Sequence, residues 1–411
     1  MHFRFVTAGE SHGRGLVIIV EGVPAGLPIG AAQIDAQLAR RMQGYGRGAR
    51  MKIERDRIEW FSGVRAGETL GAPIAMVIHN RDWANWEDVM AHEGDGELRR
   101  RRVTRPRPGH ADLVGVLKYD RLDARDVLER ASARETASRV AAGAIARCLL
   151  ETFGIEIGSH VVSLGGVHAP AVATLPVPLN AASDESEVRV LDRAQEAAIL
   201  ARIDAAKQQG DTLGGEVEVV VRGLPLGLGS HVRWDRKLDG RLASLLMSIP
   251  AVKGVEIGMG FEAARQPGSR VHDPIDAALE ADAAARGGFR RASNNAGGLE
   301  GGMTTGEPLV VRVAMKPIAT LMSPLQTVNL DTGDAANAVS ERSDVTAVPA
   351  CGVIAEALVA IVLADAMLEK FGGDSLGEMR RNFEGYLASV GQRWRGLREA
   401  DPDVARPEEE A

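Results

Sequence analysis

Two histidines lie in loops whose neighbouring residues could bind an anion. His110 ends the stretch RPRPGH (105–110), in which prolines alternate with Arg105 and Arg107 and fix the direction of the backbone. Closely placed cations favour the neutral imidazole until an anion binds, and a bound phosphate then favours the protonated, donating form. We therefore read Arg107 and His110 as part of a phosphate site, and the RRRR run (99–102) as a solvated surface stretch.

The second histidine, His12, lies in the glycine-flanked stretch AGESHGRG (8–15), directly before a strand-like run. Glycines let a backbone approach a ligand closely, and Ser11 adds a hydroxyl beside the imidazole. A tight turn that binds nothing is the alternative interpretation, and this stretch alone does not decide between the two.

Arginines recur near turns elsewhere in the chain. Planar guanidinium groups suit phosphate and carboxylate recognition, so several that converge would bind a small polyanion. These further arginines are Arg41, Arg47, Arg130, Arg134 and Arg342. Asp344 is the acidic residue we single out, either as a catalytic carboxylate or as the N-cap of the helix that follows it.

Familiar nucleotide and metal motifs are missing or out of context. GYGRGA (44–49) matches the glycine pattern of dinucleotide-binding folds, but a helical pattern precedes it where that motif requires a strand. The chain has no phosphate-binding loop of the Gly-x-x-x-x-Gly-Lys type and no His-x-x-x-His spacing. We predict no metal site and no ordinary nucleotide-dependent phosphoryl transfer.

Composition indicates a soluble globular protein. The 411 residues are 45% hydrophobic, enough to bury a large core without disulfides or metal. The only cysteines, Cys148 and Cys351, are isolated in apolar stretches and are interpreted as buried hydrophobes in a reducing compartment. A net charge of −7 and only 4% aromatic residues disfavour nucleic-acid binding.

No targeting or membrane segment is predicted. The first residues lack the pattern of a secretory signal. The longest apolar run (352–373) contains Glu356 and Asp365, whereas a membrane span needs about 20 residues nearly free of charge. We therefore expect a cytoplasmic protein.

Internal repeats predict the architecture. GLVIIVEGVPAGLPI (15–29) corresponds to GGEVEVVVRGLPLGLGS (214–230), and each strand-like run leads into a helical pattern. Two long apolar helical stretches, 130–154 and 342–372, both end at Phe-Gly. A helix apolar on all sides must be covered on several sides. We predict an α+β sandwich of two related halves, with long central helices between antiparallel sheets, although recurring Gly-Pro turns could arise by chance.

The predicted domain runs over residues 1–395 without a linker, followed by a charged tail, 396–411, that we expect to be disordered. The segment 79–110 is expected to act as a mobile lid.

Three segments together resemble the chorismate synthase family. They are GESHGRGLVIIVEGVP (9–24), ERASARETASRVAAGAIA (129–146) and RSDVTAVPACGVIAEAL (342–358), in the order typical of that family. RPGHAD, GDTLGG, VKGVEIG, AGGLEGGMT and MKPI extend the resemblance over nearly the whole chain.

The resemblance implies an activity that the residues alone do not specify. It implies conversion of 5-enolpyruvylshikimate 3-phosphate to chorismate and phosphate, by anti-1,4-elimination, in the shikimate pathway of aromatic amino acid biosynthesis. It also implies reduced FMN as cofactor and a homotetramer. Two sources of reduced flavin stay open, namely reduction by the protein itself with NADPH, or supply from outside. The alternative function is a non-catalytic anion- or RNA-binding module built on the arginines.

The resemblance also implies roles for individual residues, at the positions that match the motifs of the family. The resemblance places His12 near the leaving phosphate as proton donor, Asp344 near flavin N5, and Ser11 and Ser132 as the paired serines. It places His110 at the flavin pyrimidine end rather than at phosphate, and we follow it there. The substrate or NADP arginines would be Arg41, Arg47, Arg107 and Arg134. The implied FMN contacts are Arg130, Ala131, Ser132, Pro250, Ala251, Gly301, Lys316, Pro317, Ile318, Ala319, Thr320 and Arg342.

Two of these positions depart from the family pattern. Pro250 stands where an amide residue is usual, and Ala319 where a hydroxyl residue is usual. Each change removes one hydrogen bond to the flavin, worth about 1 kcal/mol net. We expect weaker FMN binding with unchanged chemistry.

Overall fold

The computed structural model describes residues 2–48, 55–93, 101–170, 172, 174–277, 286–340 and 344–400, with side chains of the last helix described to residue 392. The first half forms an antiparallel sheet in the order β1-β2-β6-β3, with a small β4-β5 hairpin beside it. Its strands are β1 (Arg4–Ala8), β2 (Gly15–Glu21), β3 (Ile58–Ser62), β4 (Val64–Arg65), β5 (Glu68–Thr69) and β6 (Ile74–His79).

The second half forms an antiparallel sheet in the order β10-β15-β9-β7-β8 and three two-stranded hairpins. Its strands are β7 (Glu156–Leu164), β8 (Val167–His168), β9 (Gly215–Arg222), β10 (Val252–Ile257), β11 (Ile275–Ala277), β12 (Phe289–Arg291), β13 (Leu299–Glu300), β14 (Met303–Thr304), β15 (Leu309–Met315), β16 (Gln326–Val328) and β17 (Ala335–Asn337).

The two large sheets repeat one topology. Each large sheet contains four main strands, which lie side by side in the order first, second, fourth and third along the chain. These strands are β1-β2-β6-β3 in the first half and β7-β9-β15-β10 in the second half, where β8 adds a further edge strand beside β7. A helix follows the second strand and a long helix follows the fourth strand in both halves. The predicted internal duplication and α+β class are confirmed.

Two long helices lie between the sheets. The helix over 136–151 packs along the helix over 348–371; the former also contacts β2, and the latter contacts β7 and β9. The helices are α1 (Ala31–Met42), α2 (Asp112–Lys118), α3 (Arg125–Ala131), α4 (Thr136–Glu151), α5 (Leu179–Ser183), α6 (Arg193–Gln209), α7 (Leu238–Met247), α8 (Gly268–Val271), α9 (Val348–Phe371) and α10 (Leu376–Ala400).

Sequence patterns account for these elements. In β2 the alternate residues Leu16, Ile18 and Val20 are fully buried toward the central helices. Helix α9 begins with a proline in its first turn and is followed by Gly372. It is buried on nearly every side, as expected for an apolar helix enclosed by other elements.

Helix α9 is also long and apolar enough to cross a membrane by length and composition, but 94% of its apolar window is buried inside the protein. It is therefore the core helix of the sandwich. Cys148 on α4 and Cys351 on α9 are free and buried, as predicted. Burial raises the pKa of each thiol to about 12, so both stay protonated at neutral pH.

The close crossing of the central helices depends on Gly143. A Cβ atom at that position would lie 2.5 Å from both the Cβ and the carbonyl oxygen of Ala357. We expect Gly143→Ala to lower the free energy of unfolding by about 1–3 kcal/mol, because backbone must move to admit the methyl group.

A matched helical glycine provides the control. Gly385 on α10 is exposed, and a Cβ there would have no atom within 4 Å. Gly385→Ala should be neutral or stabilising by up to about 1 kcal/mol, since alanine favours a helix. The two variants are compared by thermal unfolding, and similar melting temperatures would contradict the tight crossing.

A small second cluster of buried residues lies apart from the main core. It consists of Val103, Val116, Ala124 and Leu128 and holds α2 against α3. At the other end of the chain, α10 continues to Ala400, five residues into the segment predicted as a disordered tail. Residues 401–411 lie outside the described residues.

Candidate active site

His12 is held by a buried glutamate from helix α3. Its Nδ1 lies 2.9 Å from Oε2 of Glu129, and its backbone N–H donates to the same oxygen at 3.0 Å. The other oxygen, Oε1, accepts from Nη1 of Arg125 at 2.7 Å. Burial alone would raise the pKa of Glu129, but hydrogen bonds from His12 and Arg125 lower it, so the carboxylate is ionised at neutral pH.

An aromatic ring covers the His12 imidazole. The centroid of Trp86 lies 4.0 Å from that of His12 with the planes tilted by 30°. The guanidinium carbons of Arg101 and Arg125 lie 4.6 Å and 5.1 Å from the centroid of the Trp86 ring. Arg101 is exposed, as predicted for the arginine run, but it stacks on this ring; Arg99 and Arg100 lie outside the described residues.

His110 has its own carboxylate, Asp112, at the start of α2. His110 Nδ1 is 2.5 Å from Oδ1 of Asp112, while Arg107 donates through Nε to Oδ2 at 2.8 Å. Arg107 also donates from Nη1 to the Thr320 hydroxyl at 2.9 Å. The Arg107 side chain is 8% exposed, which excludes a solvated role for it.

The Asp112 carboxylate determines which ring nitrogen of His110 carries the hydrogen. Arg107 Nη2 also lies 3.1 Å from His110 Nδ1, yet a guanidinium can only donate and a carboxylate can only accept. The shorter contact to Asp112 therefore assigns the hydrogen to Nδ1. Burial alone would raise the pKa of Asp112, but the bonds from His110 and Arg107 hold it well below its usual range.

Arg41 and Arg134 meet at a buried aspartate, Asp56. Nη1 of Arg134 donates to both Asp56 oxygens at 2.6 Å, and Nη1 of Arg41 lies 3.8 Å from Oδ2. The Arg41 side chain is fixed by Thr136 and by the carbonyl of Ala133. Burial, followed by the charges of Arg47 and Arg134, lowers the pKa of Arg41 to about 9, which keeps it charged at neutral pH.

Arg41 Nη1 is buried without a hydrogen-bond partner among the described residues. A buried cationic N–H without an acceptor is costly, typically about 1–3 kcal/mol or more. An anion bound beside Arg41 would accept a hydrogen bond from Nη1.

Asp344 pairs with Arg47 rather than capping a helix. Its Oδ2 lies 3.2 Å from Arg47 Nη1, and its Oδ1 accepts from the backbone N–H of Gly48 at 2.6 Å. Helix α9 begins only at Val348, and its N-cap Ala347 makes no side-chain cap. The alternative of Asp344 as an N-cap is therefore wrong.

Backbone and amide contacts join these clusters. The Asn80 amide donates to the carbonyls of Glu10 and Gly13, at 3.1 and 2.6 Å, and accepts from Nε of Arg134 at 3.0 Å. It thereby attaches the His12 loop to the Arg41 and Arg134 group.

A second series of contacts connects the segment around Thr320, which Arg107 contacts, with Arg47 and Asp344. The Thr212 hydroxyl donates to the carbonyl of Ile318 at 2.7 Å. The next residue, Leu213, donates its N–H to Val345 at 2.8 Å, and Val345 donates to Gly46 at 2.8 Å. The segment with Thr320 is thus connected to Arg47 and Asp344.

Two of the segments assigned to FMN by resemblance, 250–251 and 316–320, contact each other. The N–H of Lys316 donates to Ala251 at 2.9 Å, and its Nζ donates to the carbonyl of Gly109 at 2.7 Å. His110 therefore lies beside the 316–320 segment. Ala251 has a φ of 71°, a left-handed conformation that is uncommon outside glycine.

Arg130, Ala131 and Ser132 lie at the end of α3, near the His12 loop. Arg130 donates to the carbonyls of Thr7 and Gly9, at 2.8 and 3.1 Å. The Ser132 hydroxyl caps the short 3₁₀ turn over 133–135 by accepting from the N–H of Arg134. The buried Ser11 donates its N–H to the carbonyl of Glu129, so both predicted serines adjoin α3.

Two predicted flavin contacts, Gly301 and Pro250, lie near opposite ends of helix α7. Gly301 lies in the β13–β14 turn, and the next residue, Gly302, accepts from Leu238 at the start of α7. Pro250 follows the other end of that ten-residue helix, about 15 Å further along, and directly precedes Ala251, which contacts Lys316. Arg342 lies outside the described residues, as does the 94–100 part of the predicted lid.

Glu129, Trp86, Asp56, Asn80 and Asp112 are functional neighbours that the sequence interpretation did not select. Two of them had a local signal, since Asp112 closes the RPGHAD motif two residues after His110 and Glu129 opens the ERASARE segment.

Buried guanidinium groups and two imidazoles, each oriented by a carboxylate, are the groups of an enzyme that acts on a small anionic metabolite. Comparison with known proteins narrows this class. The family model described as chorismate synthase matches residues 3–368, and the chain belongs to the chorismate synthase family.

Curated relatives match over nearly their whole length. The chorismate synthase of Geobacter sulfurreducens is 56% identical over 390 residues, covering 94% of this chain and 99% of the relative. That of Trichlorobacter lovleyi is 59% identical over 395 residues, with 94% and 99% covered. A solved crystal structure of chorismate synthase is 43% identical, with a TM-score of 0.76 over 95% of this chain and 99% of that one.

Proposed function

We propose that this protein converts 5-enolpyruvylshikimate 3-phosphate to chorismate and phosphate, as its family membership supports. The substrate carries a phosphate and two carboxylates, and the observation that carries the proposal is the buried group of Arg41 and Arg134 around Asp56, with Arg47 nearby. Two guanidinium groups share one carboxylate there, so positive charge remains for an anion.

The reaction breaks the allylic C–O bond to phosphate and removes a hydrogen from C6. Arg41, Arg47, Arg107 and Arg134 would bind the anionic groups, and preorganised cations in a dry site stabilise the departing phosphate by several kcal/mol. His12 would give that phosphate a proton. Asp344 would receive, as a relay, the proton that originates at C6, so atoms and charge balance with no net oxidation.

Residues of two segments fit a reduced flavin. Lys316 lies beside His110, while Arg130 and the Ser132 hydroxyl lie at the end of α3, and they supply cationic and donor groups suited to a phosphate and to pyrimidine carbonyls. Gly109 keeps the space beside Lys316 open, because a Cβ there would lie 3.3 Å from its Nζ. Bound reduced FMN would lend an electron during loss of phosphate and recover it. His110, held by Asp112, would stabilise the anionic reduced ring.

An anaerobic assay tests the proposal. Purified protein with photoreduced FMN and 5-enolpyruvylshikimate 3-phosphate should release chorismate and phosphate in equal amounts, and oxidised FMN should support neither. A parallel sample with NADPH and oxidised FMN separates intrinsic flavin reduction from an outside supply. Absence of chorismate with fully reduced FMN would reject the proposed activity.

Burial of three of the arginines argues against the RNA-binding alternative. Arg41, Arg107 and Arg134 are buried at 4%, 8% and 6% exposure, so they cannot contact a nucleic-acid backbone at the surface. Nucleic-acid binding would show as a salt-sensitive gel shift that is indifferent to flavin.

A homotetramer in the cytoplasm is also part of the proposal. The outer face of the first sheet exposes apolar side chains, with Val6 and Phe61 at 66% and 65% exposure and Val17 and Ile19 at 39% and 40%. Exposed apolar patches of this kind favour association. Light scattering should give a mass of four chains, and a monomer at micromolar concentration would contradict the assembly.

A further inference from the structure

We propose that Glu129 is a positioning residue for His12, fixing which imidazole nitrogen reacts and where it lies. This rests on the proposed function, in which His12 protonates the departing phosphate, and it adds a residue to that step.

The geometry constrains His12 at two points with one carboxylate. Oε2 of Glu129 accepts from the His12 backbone N–H at 3.0 Å and lies 2.9 Å from the ring Nδ1. One group therefore fixes both the loop and the ring. Trp86 covers a face of the imidazole at 4.0 Å and restricts its rotation.

The chemistry of the pair assigns the tautomer. An ionised carboxylate can only accept, so Nδ1 must carry a hydrogen and Nε2 becomes the nitrogen that takes up and delivers the proton. Arg125 donates to Oε1 at 2.7 Å, and the Glu129 side chain is only 1% exposed. This pairing keeps the carboxylate ionised and stationary behind His12.

A double-mutant cycle separates positioning from a purely structural role. Glu129→Gln should lower kcat by at least about tenfold, since a general acid with its hydrogen on the wrong nitrogen loses its function. KM should change less, because the proposed substrate arginines are held by other carboxylates, Asp56, Asp112 and Asp344. In a His12→Ala background the same Glu129→Gln change should alter kcat less than about twofold. Equal losses in both backgrounds would overturn the proposal.

A second histidine–glutamate pair gives the matched control. Glu59 lies 2.7 Å from Nε2 of His79 on the exposed part of the first sheet. Glu59→Gln should leave kcat unchanged. A loss equal to that of Glu129→Gln would show that the effect is not specific to His12.

Nitrogen NMR of histidine-labelled protein tests the tautomer without substrate or flavin. The His12 signals, assigned by their loss in His12→Ala, should show hydrogen on Nδ1 in the unmodified protein and a mixture in Glu129→Gln. A neutral His12 with its hydrogen on Nε2 would overturn the proposal even if Glu129→Gln did not fold. A protein that shows the expected tautomer but makes no chorismate would reject the proposed activity instead.

Discussion

Replacing Glu356 by alanine should lower the free energy of unfolding by about 3–5 kcal/mol, the largest stability loss we expect from one change. Glu356 is 1% exposed on the core helix α9 and accepts from Arg40, Arg147 and Arg189. Ser159 and Asn180 donate to the same carboxylate. Its removal would leave several buried guanidinium groups with too few acceptors.

Acidification should reduce the contribution of Glu356 to the free energy of unfolding. Burial alone would raise the pKa of Glu356, but Arg40, Arg147 and Arg189 hold it well below its ordinary value of 4.5. A carboxyl whose pKa is lower in the folded state stabilises fully above the unfolded value and loses this contribution as pH falls toward the folded one. The difference in stability between the unmodified protein and Glu356→Ala should therefore be constant above about pH 5.5 and shrink below pH 4.5.

Glu369 on the same helix is the control. It pairs with Arg236 and Arg241 near the surface and is 22% exposed. Glu369→Ala should cost about 0–1 kcal/mol, as for most exposed pairs. Urea unfolding of both variants measures the contrast, and comparable midpoints would show that the buried network contributes little.

The fold could be predicted because its signals are local. Each half repeats a strand, a Gly-Pro turn and a helix, and the observed strand orders repeat as well. Glu356 was noticed in the sequence, since its charge argued against a membrane span. Its three arginine partners could not be predicted, because Arg40, Arg147 and Arg189 lie 316, 209 and 167 residues away along the chain.

The residues of the candidate active site show the same limit, because partners distant along the chain could not be predicted. Histidines and arginines in stiff or glycine-rich loops have a local pattern, so His12, His110 and Arg107 could be selected. Glu129 opens the ERASARE segment, but it is 117 residues from His12 and lies in a helical stretch with other charged residues, so the sequence does not show that it faces His12. Asp56 and Asn80 acquire their roles only when the folded sheet brings them to Arg134.

Replacing His12 by alanine should lower kcat by at least about tenfold, because a positioned general acid contributes roughly 10²–10⁴ to a rate. KM should change little, since Asp56 holds Arg41 and Arg134, and Asp344 holds Arg47. His168→Ala, an exposed histidine on the edge strand β8, should be fully active. Single-turnover phosphate release with photoreduced FMN measures the chemical step directly.

Asp344→Asn separates the proton role of Asp344 from its contact with Arg47. Asparagine keeps an acceptor for the Gly48 N–H but cannot take up a proton at neutral pH. We expect kcat to fall at least about tenfold with substrate binding retained, whereas Asp344→Ala should also weaken binding by releasing Arg47. Full turnover in Asp344→Asn would assign Asp344 to holding Arg47 alone. His12 would then stand as the one proton-transferring side chain proposed here, and the C6 proton would have to leave by another route.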